Sequence, residues 1–228
     1  MSDSTTTLTL GYWAIRGLAH PIRFLLHHLN VPFTDKQYTQ GPGPEFSREE
    51  WNSVKPTMDL AFPNLPYLLT PEGEPNLTQS TAILRYLARK YDPSLLGGDD
   101  LGVAAKVDMG VAQAVDFRSA YTGMGYSPNY EERKAVYFAG PLQAKLDKWE
   151  AFVEGPFVAG EQVTLVDFLL YDALFVLGEM EEGVVDASRF PKCVALMAAF
   201  EALDGVAAYL QSDAYFARPV NNVSATWR

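Results

Sequence analysis

The chain has 228 residues, with 18 Lys and Arg against 28 Asp and Glu, so its formal net charge is -10. A composition of 48% hydrophobic and 20% charged residues is that of a globular protein of one or two domains with a real core, and excludes a disordered chain. No basic excess exists to neutralise phosphates, so the composition argues against a nucleic-acid partner.

The charge is unevenly placed. Residues 1–91 hold eight basic and eight acidic side chains, whereas residues 92–228 hold ten and twenty. That division suggests two domains with different jobs, although solvated acidic helix faces would look the same. The one cysteine, Cys193, excludes an internal disulfide, a redox pair and a thiolate zinc site. The N-terminal Met1–Thr7 has neither the basic nor the apolar region of a signal peptide. No charge-free run exceeds 12 residues, short of the roughly 18 that a membrane span needs. The expected setting is cytoplasmic, without membrane association.

Thr7–Trp13 alternates β-formers and reads as a strand. Gly17–Asn30 reads as a helix, with Leu18, Ile22, Leu25 and Leu29 on one stripe and Pro21 in the first turn. Val31–Tyr38 is a second strand. Thr39–Asn64 is irregular, with a short helix expected over Glu45–Asn52. Pro66–Leu69 and Asn76–Thr78 read as a hairpin, and Ser80 as the N-cap of a helix to Tyr91. Asp92 to Asp99 is the linker. Helices are expected near 100–126, 130–154, 164–179 and 189–203, and helical pattern persists to about residue 211. Thr164 and Asp167 form a capping box for the third of these. The tail from Pro219 has no periodicity. The outline is an α/β domain (1–91, order βαβ then ββα), a linker (92–99) and an all-α domain (100–228).

Leu10-Gly-Tyr-Trp-Ala-Ile-Arg-Gly-Leu18, Phe62-Pro-Asn-Leu-Pro-Tyr-Leu68, Thr78-Gln-Ser80 with Ala82-Ile-Leu84, and Arg218-Pro-Val220 together resemble the signatures of cytosolic glutathione S-transferases of the mu class. The resemblance covers essentially the whole chain in the correct order. It implies a thioredoxin-like N-terminal domain and a helical C-terminal domain, glutathione as co-substrate, no metal, a homodimer, and small hydrophobic electrophiles as partners in detoxification.

The resemblance also assigns residues. Tyr12 is the catalytic tyrosine, donating a hydrogen bond to the glutathione sulfur and favouring the nucleophilic thiolate. Arg48, Trp51 and Lys55 bind the glycine carboxylate. Leu65-Pro66 is a cis-proline turn that aims the Leu65 backbone at the cysteinyl part, with Asn64 beside it. Gln79 and Ser80 offer a helix N-terminus to the γ-glutamyl carboxylate. Asp116 reaches the γ-glutamyl ammonium from the partner subunit. Trp13, Ile15, Leu18, Tyr126 and Asn222 border the electrophile pocket, with Trp13 also a glutathione-binding residue and Tyr126 a candidate general acid. Phe62 inserts into the partner. Without the resemblance, Tyr12 is a packed strand-end tyrosine, Ser80 a simple cap and Asp116 a helix-surface acid. The chain departs from the mu pattern at the longer turn Thr70–Asn76, at Pro56-Thr57-Met58, and at Gly123 and Gly125, which are expected to loosen the helix end beside the pocket. A glutathione-dependent isomerase of the sigma type and a non-catalytic ligand-binding protein are the alternatives.

Overall fold

The computed structural model describes residues 7–228, so the reading of Met1–Thr6 lies outside the described residues. Four strands form one sheet: β1 (Leu8–Trp13), β2 (Phe33–Tyr38), β3 (Tyr67–Leu69) and β4 (Leu77–Thr78), in the order β2-β1-β3-β4. β1 runs parallel to β2 and antiparallel to β3, and β3 is antiparallel to β4. Leu8 and Leu10 of the central strand are buried, as are Ile22, Leu25 and Leu26 of α1 (His20–His28) and Ile83, Leu84 and Leu87 of α3 (Ser80–Tyr91). The alternation in β1 and the three- and four-residue spacing in the helices thus meet in one core.

The sheet register fixes the functional end. Gly11 faces Tyr67, and Tyr67 faces Thr78. One residue further along, Tyr12, Pro66 and Gln79 fall in a row across three strands. The C-terminal ends of β1 and β2, the start of β3 and the N-terminus of α3 therefore share one edge.

α2 spans only Glu49–Asn52, shorter than expected. The expected N-cap at Ser80 is corrected: Ser80 is the first helical residue, and Gln79 before it has φ 72°. Gly17–Ala19 forms a tight 3₁₀ turn before α1 rather than its first residues. The linker is packed, with Leu95 fully buried and the Asp92 carboxylate accepting the Ser94 N–H at 3.1 Å.

The helical half comprises α4 (Leu101–Gly125), α5 (Tyr130–Ala139), α6 (Pro141–Phe152), α7 (Leu165–Met180), α8 (Pro191–Glu201) and α9 (Asp204–Leu210). The single helix expected over 130–154 is two helices. Pro141 has no N–H to continue the ladder and starts α6 instead. α7 is apolar on all sides and central, as such a helix must be. Its capping box holds: Asp167 accepts the Thr164 N–H at 2.7 Å and also the Val158 N–H at 2.8 Å. α4 runs through Gly125 without loosening. That glycine is buried, and a Cβ there would meet the Asn221 amide nitrogen at 2.6 Å. Cys193 is buried, its thiol pushed up to about 12 by burial, in keeping with a core role.

The two halves are joined by a buried ion pair. Arg16 Nε lies 2.7 Å from Asp172 of α7, with both side chains inaccessible, and the guanidinium lies 4.0 Å over the Phe175 ring. One turn on, His20 sits among Phe24, Tyr209, Tyr215 and Phe216, and neither ring nitrogen has a partner among the described residues. Burial, with help from Arg16 and Arg23, holds its pKa well below the ordinary histidine value. His20 is therefore neutral when folded and takes a proton on unfolding. Its contribution is fully present above about pH 6.5 and is lost as pH falls below that value. The slope should approach about 1.4 kcal/mol per pH unit, with a smaller remainder from the partly buried His27 and His28, which shift the same way. Urea unfolding of the parent and of His20→Phe between pH 5 and 7.5 checks this; the variant should show a flatter acid limb, and superposable limbs would remove His20 as the cause.

Candidate active site

Tyr12 lies near the C-terminal end of β1 with its ring buried. Its hydroxyl oxygen accepts the Leu18 N–H at 3.1 Å. The hydroxyl proton has no acceptor among the described residues and is free to be donated. Burial raises the phenol above its usual range, opposed in part by the charge of Arg118 and by the Leu18 bond. Tyr12 thus stays protonated at neutral pH and is a hydrogen-bond donor. The loop that carries Leu18 reaches Tyr12 because of Gly17. Its φ is +43°, and a Cβ there would sit 2.7 Å from the Tyr12 oxygen.

A cradle extends along the sheet edge from Tyr12. The Leu65–Pro66 bond is cis, as expected. Gln79 is a non-glycine residue with positive φ, a conformation that persists at ligand clamps. Behind it, the first-turn N–H groups of α3 offer the positive end of a twelve-residue helix. Trp51 is buried, stacked on Tyr67 with 5.9 Å between ring centroids, and lies edge-on to Tyr38 at 5.3 Å. The Tyr38 and Tyr67 hydroxyls bond at 2.9 Å and lock this aromatic floor. Its indole N–H finds no acceptor among the described residues. Arg48 and Lys55 flank it, exposed and without an acidic partner among the described residues. Two cations and a free indole donor suit a carboxylate. Asn64 is exposed on the approach to β3.

On the other side of Tyr12 stands α4. The charge of Arg118 acts on the tyrosine, and its guanidinium Nε is buried without a partner among the described residues. Tyr126, just beyond α4, is near enough to influence the Tyr12 phenol. The Tyr126 hydroxyl oxygen accepts the Asn222 N–H at 3.1 Å, again leaving its proton free. Leu18 is 41% exposed and presents an apolar wall. Trp13 is half-buried. Ile15 is almost fully buried in the core, so it contributes only an edge.

The structure therefore brings Tyr12, Leu18, Tyr126 and Asn222 together, and sets Pro66 and Gln79 along the same edge. Asp116 is exposed on α4 and has no partner among the described residues. Phe62 is 76% exposed in the loop before β3. Arg118 is the residue that reading the sequence missed. The available signal was its place two residues after Asp116, as the only basic residue of α4 beyond Lys106.

A four-stranded sheet with a strand-end tyrosine, followed by an all-helical half, is the architecture of the thioredoxin-like transferases. The comparisons agree. The family model for the glutathione S-transferase N-terminal domain matches residues 8–89, and that for the C-terminal domain matches residues 115–213. Glutathione S-transferase Mu 5 of Rattus norvegicus is 44% identical over 97% of this chain and 95% of its own. Glutathione S-transferase Mu 3 of Homo sapiens is 42% identical over 97% and 96%. Among solved structures, the Pi-class glutathione S-transferase of Onchocerca volvulus superposes with a TM-score of 0.81, at 27% identity, over 97% of this chain and all of that one. Prostaglandin synthase D of Nilaparvata lugens, at 22% identity over 91% of this chain and 98% of its own, and a TM-score of 0.74, shares the fold. The chain belongs to the glutathione S-transferase family, and its curated relatives are of the Mu class.

Gly17→Ala tests the Leu18–Tyr12 geometry. The added methyl must push the phenol aside, and a displacement near 1 Å should lower kcat about 100-fold, with thermal stability reduced. Wild-type turnover in a folded variant would show that this approach does not position Tyr12.

Proposed function

We propose that the protein is a mu-like glutathione transferase in which Tyr12 holds the glutathione thiolate for attack on an electrophilic carbon. The observation that carries the reading is the Tyr12 hydroxyl, buried, protonated, and with its oxygen already bonded to the Leu18 N–H, which leaves its hydrogen available to a ligand. A free thiol ionises near pH 8.5, and lowering that by about two units requires about 2.7 kcal/mol. One donated hydrogen bond in a desolvated setting near the positive charge of Arg118 is of that scale.

Glutathione lies along the sheet edge in this reading. Arg48, Trp51 and Lys55 take the glycine carboxylate, Leu65 and Asn64 the cysteinyl part, and Gln79 and Ser80 the γ-glutamyl carboxylate. Asp116 of a second copy takes the ammonium. The thiol proton leaves to solvent, the sulfur forms the new bond to carbon, and a halide departs or an adjacent oxygen takes the electron pair. Tyr126, whose hydroxyl proton is free, then protonates the oxygen of an epoxide or enone. The residues 1–91 and 100–228 act as glutathione and electrophile domains about the 92–99 connector, and the enzyme works in the cytoplasm. Among the described residues no single helix is long and apolar enough to cross a membrane.

The homodimer in this reading rests on Phe62. A groove of about 180 Å³ lies between α4 and α6, lined by Met109, Gln113, Phe117, Lys145, Trp149 and Phe152. An exposed aromatic ring and an apolar groove on the opposite half fit a reciprocal contact between two copies.

Two experiments decide these points. With 1-chloro-2,4-dinitrobenzene as electrophile, Tyr12→Phe should retain glutathione binding and lose about 100-fold in kcat, and the ultraviolet thiolate band of bound glutathione should titrate about two pH units higher. An unchanged thiolate titration would remove the role of Tyr12. Phe62→Ser should shift the protein from dimer to monomer in sedimentation velocity at micromolar concentration, and a dimer as stable as the parent's would show that Phe62 does not anchor it.

A further inference from the structure

The tail beyond α9 has no hydrophobic period, yet hydrogen bonds tie it to both halves. Pro219 and Val220 carbonyls accept the Arg16 and Gly17 N–H groups at 2.8 and 3.2 Å. The Asn222 N–H reaches the Tyr126 oxygen. Thr226 donates its hydroxyl to the Ser127 carbonyl at 2.9 Å, and the Trp227 N–H meets the Gly125 carbonyl at 3.1 Å. These bonds hold the tail between the loop bearing Leu18 and the C-terminal end of α4.

One further bond crosses to the sheet. The Ser224 hydroxyl donates to the Gln40 side-chain oxygen at 3.1 Å, 184 residues away in sequence. The Gln40 amide nitrogen donates to the Phe46 carbonyl at 3.1 Å, which turns its oxygen toward the tail. Gln40 lies two residues beyond β2, at the edge where Tyr12, Pro66 and Gln79 line up. The bond therefore bridges the sheet edge and the tail on the electrophile side of Tyr12. α4 adds polar groups to the face that carries Arg118: Thr122 and Tyr126 stand four and eight residues beyond it. Leu18 and Val115 are exposed and Trp13 half-buried.

We propose that Gln40 and Ser224 form a polar clasp across the mouth of the electrophile pocket, selecting compact electrophiles that carry a hydroxyl group over arenes that carry none. The proposal rests on the transferase reading and names the substrate class of that site. A large apolar body entering here separates the clasp and leaves a part-buried amide oxygen and a hydroxyl without partners. An electrophile bearing its own hydroxyl replaces the lost partner to either group. Sites that hydrogen-bond a substrate hydroxyl discriminate strongly against analogues lacking it, whereas purely apolar pockets do not.

The test uses the full chain and three probes: a 4-hydroxy-2-alkenal, the 2-alkenal of equal length without the hydroxyl, and 1-chloro-2,4-dinitrobenzene. Each kcat/KM for glutathione conjugation is divided by its uncatalysed rate constant. The parent should favour the hydroxylated enal over the plain enal by at least about 10-fold. Ser224→Ala and Gln40→Leu should each bring that ratio close to one, raise the relative rate with the arene, and leave KM for glutathione unchanged. The double variant should be no worse than either single one, because both remove the same bond. Ser224→Thr keeps a hydroxyl and should keep the ratio, which separates the clasp from general damage to the tail. A parent ratio near one, or a ratio that survives both single substitutions, overturns the clasp while conjugation itself continues. Absence of conjugation with all three probes overturns the transferase reading and the clasp together.

Discussion

The hydrogen bond from the Leu18 N–H to the Tyr12 oxygen is the interaction on which the site depends. It occupies the acceptor side of the phenol and leaves the donor side for a ligand. It requires Gly17 to pass within contact of the ring at a positive φ. The residue before Gly17 is Arg16, whose buried pairing with Asp172 anchors the loop in the helical half. The position of the Tyr12 hydroxyl is therefore set by both halves. Cutting one partner of such a buried pair leaves an uncompensated charge and costs about 3–5 kcal/mol, so a defect in α7 would be felt at the end of β1. In this sense the helical half helps to orient the tyrosine.

The sheet supplies the other constraint. Because β1, β3 and β4 pair in fixed register, Tyr12, Pro66 and Gln79 cannot move independently. A one-residue slip would reverse every inward side chain, and Leu8 and Leu10 would leave the core. The hydrophobic alternation that folds the sheet thus also fixes the spacing of Tyr12, Pro66 and Gln79 along its edge. Local strain at Gln79 is tolerated because the β4 ladder on one side and α3 on the other hold it.

Much of this was legible in the sequence. The strands, the hairpin, α3, the capping box at Thr164 and the break near residue 92 all follow from alternation, helical spacing and turn chemistry. So does the tyrosine at the end of the first strand, once its neighbours are matched to the family. Three things were not legible. The division of α5 from α6 lay in Gly140-Pro141, a signal hidden because the apolar stripe continues past it. The rank of Gln79 and Ser80 at the start of α3 depends on a backbone angle that composition does not reveal. Arg118 and Gln40 matter through partners distant in sequence, and no local pattern encodes such contacts. Gly125 misled for the same reason: it looks like a helix breaker, yet its role is to admit Asn221 from a tail nearly a hundred residues away.

The acidic surplus of the second half has a physical use beyond solubility. A half built from six helices presents six N-termini with unpaired N–H groups and positive dipole ends. Acids answer several of them. Asp100 accepts the Gly102 and Val103 N–H groups at the start of α4. Asp167 closes the box at α7. Glu150, on α6, reaches across to the Lys192 and Cys193 N–H groups and caps α8 from a neighbouring helix. Asp172 instead neutralises Arg16. Of the acids in this half only Asp167 and Asp172 are buried, and both already have partners. The negative charge is thus tied to helix ends, paired with Arg16 or held in solvent, and no acid is among the charges that act on the Tyr12 phenol. The charges that act on the Tyr12 phenol are those of Arg118 and Arg23, and both favour an anion there, although the helical half as a whole is strongly negative. A thiolate is stabilised by the charge within a few ångströms of it, in low dielectric, far more than by distant charge across water. An acidic protein can for that reason hold an anionic nucleophile, provided its acids are paired, tied to helix ends or left in solvent.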